Sequence, residues 1–294
     1  MKIQLKALTS IVALAFASQA FAAQDWYLTG GSPSAGVATT AYSNTGGANT
    51  ATSTANNAAT QTIEAATWLG QSQGYGGIAN NDGYYTNPTT GVTTRGSGCP
   101  SGSNLTYCDN LDAIGGSPEH SIDNNQRYDM ALLSFGNLVK LTKATLSWVS
   151  GDSDLTVLAY TGAAAFDKNT MLLGKTYSQL TALGWSVVGN YAGNGDNTTG
   201  SANKSRTIQS STPSVGDTFS SFWLIGAYNP LVSGSTSGSL LTDGSDYVKL
   251  ASVTGCIQGT TGCNPPSKVP EPGSLALMGI GLLGLLRMRK ARKA

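Results

Sequence analysis

From Met130 onward the chain alternates short apolar runs with clusters of Gly, Asn, Asp and Ser. Met130–Phe135 predicts a strand. Lys140–Val149 alternates, with Ala144, Leu146 and Trp148 on one face and Thr145 and Ser147 on the other. Leu155–Tyr160 is apolar on both faces, the pattern of a strand covered on both sides. Trp185–Tyr191, Phe219–Tyr228 and Tyr247–Val253 follow, each bounded by turn residues. One short helix is expected near Tyr177–Leu183, and no long amphipathic helix. The pattern predicts an all-β body, an antiparallel β-sandwich or jelly roll.

The first third of the chain reads differently. Residues 29–62 are rich in Gly, Ser, Thr, Asn and Ala, with Val37–Tyr42 as a short strand candidate and the rest reading as loop or weakly ordered edge. Ala65–Leu69 adds an apolar segment around Trp68. Residues 70–98 carry turn chemistry, with a hairpin expected near Tyr84-Tyr85. The contrast divides the body into an N-terminal part, residues 23–117, and a core, residues 118–268.

Two further apolar runs lie at the ends and do not belong to this body. Lys2 and Lys6 lead into an apolar stretch through Phe16, and Ala20-Phe21-Ala22 is a small-x-small cleavage pattern. Residues 1–22 therefore read as a secretory signal peptide, which implies passage through the Sec translocon and removal by signal peptidase. At the other end, residues 269–294 combine three parts: the stiff tripeptide Pro270-Glu271-Pro272, the apolar run Gly273–Leu286, and a basic cluster of Arg287, Arg289, Lys290, Arg292 and Lys293. An apolar segment with a basic end sits in a membrane with that end in the cytoplasm. The run is short, however. Its residues rise about 21 Å as a helix against a hydrocarbon core of about 30 Å. It suits a temporary single-span handle better than a permanent anchor. The run also spells G-x-G-x-x-G over Gly279–Gly284, but with no preceding strand, no βαβ unit and no acidic residue downstream it is no dinucleotide site.

Pro-Glu-Pro, a short Leu/Gly-rich span and a terminal Arg/Lys cluster, in that order, resemble the PEP-CTERM sorting signal of Gram-negative bacteria. The resemblance implies an exosortase as partner, a membrane-embedded cysteine peptidase/transpeptidase. It would cut near Pro270-Glu271-Pro272 and release the body from an inner-membrane intermediate to the cell surface or extracellular matrix. A second resemblance covers residues 118–255. The string PEHSIDNNQRYDMALLSFGNLVKLTKATLSWVSGDSDLTVLAYTG, with SSFWLIGAYN and DYVKLASVTG later, is similar to exosortase-dependent surface proteins. That family is known by its architecture and sorting signal and lends no catalytic residues.

Charge narrows the partners. Seven of the 17 Lys and Arg and one of the 16 Asp and Glu lie in the two removable ends, which leaves ten basic and fifteen acidic residues and a net charge near −5 for the body. Nucleic acid and anionic membrane surfaces both require a basic face, so neither is expected as a partner of the body. The four cysteines form two close pairs, Cys99 with Cys108 and Cys256 with Cys263. In an exported protein these read as two local disulfides, although four cysteines allow three connectivities. Zinc is the rival reading, but the spacings do not match and His120 is the only histidine.

Catalytic chemistry is weakly signalled. Gly234-Ser235-Thr236-Ser237-Gly238 has Thr where a nucleophile elbow needs Ser, and His120 beside Glu119 is the only imidazole available as a base. No catalytic residue and no organic cofactor is assigned. Asp152-Ser153-Asp154 is sharper, because alternate residues in an extended turn project two carboxylates to one side, as a Ca²⁺ site requires. Asp123 and Asp129 would join if the strands bring them close. The competing reading is a turn in which each Asp bonds backbone amides. The expected function is that of a non-enzymatic surface or matrix protein associated with exopolysaccharide or biofilm. The alternatives are an extracellular carbohydrate-binding module, with or without calcium, and a secreted hydrolase.

Overall fold

The computed structural model describes residues 23–29, 33–46, 58–66, 68–71, 74–77, 85–86, 93–94, 121–124, 127–193, 200–234, 240–244, 246–260 and 262–263. The signal peptide, Cys99, Cys108, His120 and the whole tail of residues 269–294 lie outside the described residues. Among the described residues there are fourteen strands: β1 Gln24–Tyr27, β2 Val37–Gly46, β3 Thr62–Ala66, β4 Trp68–Gln71, β5 Gly74–Gly77, β6 Tyr85–Thr86, β7 Thr93–Thr94, β8 Ile122–Asp123, β9 Asp129–Gly151, β10 Leu155–Tyr160, β11 Trp185–Tyr191, β12 Gly200–Thr207, β13 Ser220–Ala227 and β14 Asp246–Ile257. Twelve of them form one sheet, and β6 and β7 pair as a separate hairpin. The strand pairings are antiparallel, and among the described residues helix is confined to short segments: α1, Lys168–Met171, and the 3₁₀ turns Ala58–Thr60 and Tyr177–Leu183. The fold is all-β.

Everything is arranged around β9. The sequence pattern predicts two strands here, Met130–Phe135 and Lys140–Val149; the structure has one strand of 23 residues. Its partners change along its length. The first part, from Asp129 to Phe135, lies between β2 and β13. The second, from Val139 to Gly151, lies between β14 and β12. Gly136, Asn137 and Leu138 are exposed at the change. These polar and small residues look like a turn in the sequence. The backbone nevertheless continues, because the ladder to β13 resumes at Val139 after a register shift.

Alternation along the first part of β9 places Ala131, Leu133 and Phe135 on one face and Met130 and Leu132 on the other. The first set packs with Leu146, Val157, Trp223, Leu250 and Trp26 in one core that draws on both parts of β9. The second set packs with Leu158, Leu224, Tyr177, Leu180 and Trp185 in a second core on the opposite face. The connection after β10 supplies the lid of this second core. Thr176 opens its 3₁₀ turn, its backbone N–H donating to Gln179 Oε1 at 2.9 Å, and Gly184 closes it at φ 97°, a left-handed conformation that favours glycine. Both faces of β10 are thereby covered, and all six of its residues are buried.

Three departures from the sequence pattern have physical causes. Trp148 is only half buried, and Val149 takes the inward place instead. Lys249 pairs with Trp148 while Leu250 pairs with Leu146, so Ser147 is an extra residue that turns the strand over. Trp148 then lies outside the core with the Lys249 ammonium 5.4 Å from its ring centroid. Strand β12, Gly-Ser-Ala-Asn-Lys-Ser-Arg-Thr, has no large apolar residue and no strand signature; its backbone ladder to β9 makes it a strand. Finally, β2 runs on to Gly46 and is an interior strand between β9 and β3, with Val37, Ala41 and Tyr42 buried. The N-terminal part of the body thus contributes Trp26, Leu28, Tyr42 and Ile63 to the two cores.

Candidate functional site

The β9–β10 connection is three residues long, and Asp152 and Asp154 lie at its two ends. A bridge from Asp152 to Asp246 brings in the start of β14. One carboxylate oxygen from each of Asp152, Asp154 and Asp246 lies within 4.8 Å of the other two. Asp154 and Asp246 are fully buried and Asp152 is half buried. Asp246 is the member that sequence reasoning missed. Its signal was Asp243-Gly244-Ser245-Asp246, an acidic turn directly ahead of a strand.

All six carboxylate oxygens accept a hydrogen bond. Asp152 takes Ser153 N–H at 2.9 Å and Thr242 Oγ1–H at 2.9 Å. Asp154 takes the N–H groups of Gly193 and Thr242. Asp246 takes Asp154 N–H at 2.7 Å and Asn124 Nδ2–H at 2.6 Å, and its own N–H donates to Asn124 Oδ1 at 2.9 Å. Five segments are therefore tied together: the ends of β8 and β11, the β9–β10 turn, the Thr242 loop and the start of β14. The space is tight. A Cβ on Gly193 would lie 2.6 Å from Asp152 Oδ1 and 2.8 Å from Ser153 N, so only glycine fits there without a shift.

Electrostatically the cluster is costly to charge. Burial pushes Asp246 up to about 8, its neighbours Asp154 and Asp152 push in the same direction, and the hydrogen bonds from Asp154 N and Asn124 oppose them. Asp154 is raised chiefly by burial, against the hydrogen bonds from Gly193 and Thr242. Chemically the arrangement can do two things. It can act as a hydrogen-bonded staple. Because each oxygen keeps a second lone pair, it can also offer a hard, all-oxygen donor set of the kind Ca²⁺ takes.

The other acidic residues considered from the sequence stand apart. Asp123 pairs with Tyr247 through the β8–β14 ladder and is not one of the three converging carboxylates. Asp129 is buried elsewhere, at the start of β9, where burial raises it to about 7 and neither carboxylate oxygen has a hydrogen-bond partner among the described residues. Its charge in turn adds to the burial that raises Tyr177. Unfolded, Asp129 titrates near 3.8, so the folded chain holds an extra proton between that pH and about 7. Its stabilising contribution is complete below the unfolded value and is lost as pH rises through the folded one. Asp129→Asn removes this dependence. The stability of the variant relative to wild type is therefore expected to improve from about pH 5 to about pH 8, measured by urea denaturation. A constant difference across that window would mean that Asp129 ionises normally in the fold.

Cys256 and Cys263 are disulfide-bonded, and Cys263 is fully buried. The last described strand is thus stapled a few residues before the tail begins. Among the described residues the exposed large hydrophobics are Tyr27, Leu138, Val215 and Leu240, so they offer no strip of exposed aromatics on a sheet face of the kind that stacks on sugars. No helix among them is long and apolar enough to cross a membrane.

With the body described, the tail identifies the class. The PEP-CTERM protein-sorting motif family matches residues 268–292. The chain carries this sorting motif, and the motif supports an exported surface protein processed by an exosortase, as in Gram-negative bacteria. No curated protein and no solved structure matches the chain.

Proposed function

We propose that the chain is a non-enzymatic structural protein of the cell surface or extracellular matrix, trimmed by an exosortase at Pro270-Glu271-Pro272 and retained with exopolysaccharide or in a biofilm. The body is a β-sandwich-like module, and the tail is its address. The sorting motif at residues 268–292 carries this reading. Insertion depends on the apolar run Gly273–Leu286 and orientation on the basic residues after it, whereas Glu271 lies just outside the run and adds little to anchoring. A plain anchor should tolerate Glu271→Ala with no change in mature mass. A peptidase that reads the stiff Pro-Glu-Pro shape should not. The variant is expected to accumulate in the inner membrane with its tail attached, while wild type loses the residues after about Pro270, as read by intact mass of fractionated cells. Wild-type surface protein that still carries Leu275–Leu286 would show the tail to be an anchor.

The convergence of Asp152, Asp154 and Asp246 favours one addition to this reading, a structural Ca²⁺ held by the three carboxylates. The matrix outside the cell supplies the ion, and the ion would take over the charge compensation that a proton provides at Asp246. In the purified chain, millimolar Ca²⁺ is then expected to raise the thermal midpoint by several degrees, with no such rise in Asp152→Asn. Equal midpoints in Ca²⁺ and in chelator would leave the cluster as a hydrogen-bonded staple only.

A further inference from the structure

The disulfide sets how far the sorting motif can stand from the folded body. Cys263 is buried and bonded to Cys256, which pairs with Lys140 in the sheet. Glu271 lies eight positions after Cys263, and Pro265 and Pro266 are among the seven intervening residues. Even fully extended, that length spans at most about 29 Å. A membrane-embedded peptidase that reads Glu271 therefore works within about 29 Å of Cys263, beside the folded end of the body.

That end has a definite surface. Gln258 N–H donates to Leu138 O at 2.8 Å, which ties the exposed stretch of β9 to the turn that carries the chain out. Lys140 Nζ, from the strand position opposite Cys256, reaches Asp217 Oδ2 at 2.6 Å and Thr212 O at 3.2 Å, and so holds the loop of residues 212–217 on the same end. The tips of these segments are Leu138, 46% exposed, and Val215, 78% exposed. Residues 136–138, 212–216 and 258–260 carry no charge, and Asp217 is matched by Lys140. An uncharged surface with two apolar tips suits a protein partner that is approached closely and loses water on contact.

We infer that this end of the body, centred on Leu138 and Val215, is the face that abuts the exosortase during processing. The inference rests on the sorting reading above. The test follows tail removal by pulse-chase in cells that express the exosortase, with the full chain carrying Leu138→Glu and Val215→Glu together. Both positions are exposed, so the melting temperature should not change. At native spacing the double variant is expected to lose its tail about tenfold more slowly, because two charges are pressed against the partner. Inserting twelve Gly and Ser residues between Pro266 and Ser267 should restore the wild-type rate to the double variant, since the body then no longer has to touch the enzyme. Processing of the double variant at the wild-type rate overturns the inference, as does slowing that the insertion does not relieve. If purified full-length protein binds lipid vesicles and the double variant does not, the face belongs to lipid and the assignment to the peptidase is overturned. Failure of wild type itself to lose its tail overturns the sorting reading instead, which keeps the two failures distinct.

Discussion

Trp223→Ala is expected to lower the free energy of unfolding by about 3–5 kcal/mol, the range for deleting a buried aromatic from a packed core. Trp223 is fully buried in β13, directly opposite Ala159 of β10 and Leu133 of β9. It belongs to the core that joins the two parts of β9, so its cavity would open where several strands meet and few neighbours can relax into it. Its Nε1–H also donates to Ser220 O at 3.0 Å, and alanine leaves that carbonyl without this donor. Trp223→Phe loses the hydrogen bond and less volume, so it should cost clearly less. Set against the total of about 5–15 kcal/mol typical of a domain, the alanine variant stands near the edge of folding. Urea denaturation with the disulfide intact measures it. A loss below about 1 kcal/mol would mean that the interior near Trp223 collapses freely or is not packed as described.

Asp217→Ala should be nearly as severe, for an electrostatic reason. Lys140 and Asp217 form an ion pair at 2.6 Å with side chains 1% and 8% exposed. Removing one partner of a buried pair strands the other, at a cost of about 3–5 kcal/mol. Here the stranded group is the Lys140 ammonium, which keeps Thr212 O as an acceptor at 3.2 Å. Asp217 also takes Ser214 N–H at 2.7 Å, so the loop loses its tie as well. The informative comparison is the double variant Lys140→Met, Asp217→Ala. It removes both charges and keeps an apolar stem in β9. It should recover most of the loss, because the penalty comes from isolation of a charge and less from the worth of the pair. A double variant as unstable as Asp217→Ala alone would show that the loop contacts dominate.

These predictions stand on features that differ in how far the sequence revealed them. Leu155–Tyr160 was legible as a strand covered on both faces because apolar residues occupied both alternating sets, and burial on two sides is the condition that permits this. Trp185–Tyr191 and the short helical segment of Tyr177–Leu183 were legible because local turn residues bound them. The hairpin near Tyr85 and the all-β class follow from the same local rules. The sorting motif was legible for another reason: it is linear chemistry, a stiff tripeptide, an apolar run and a cluster of charge, and needs no fold to be read.

What only the tertiary structure decided are the properties that depend on a neighbour distant in sequence. Gly136-Asn137-Leu138 looks like a turn, and only the β13 ladder keeps it in one continuous strand. Gly200–Thr207 has no apolar pattern, and it is a strand because β9 offers it backbone donors and acceptors. Trp148 points away from the core because Ser147 is an extra residue relative to β14, and a period of two inverts at every such insertion. Asp152 and Asp154 were visible as a pair, but Asp246 lies more than ninety residues away and joins them through the bridge to β14. Asp129 looked like a further ligand, and its place at the buried start of β9 makes it a titrating group of the core. The sequence by itself determined the class of fold and the address, since both are written in local patterns of apolar, turn and charged residues. The continuity of β9, the inward face of each strand and the meeting of the three carboxylates were settled by long-range pairing, which no local pattern encodes.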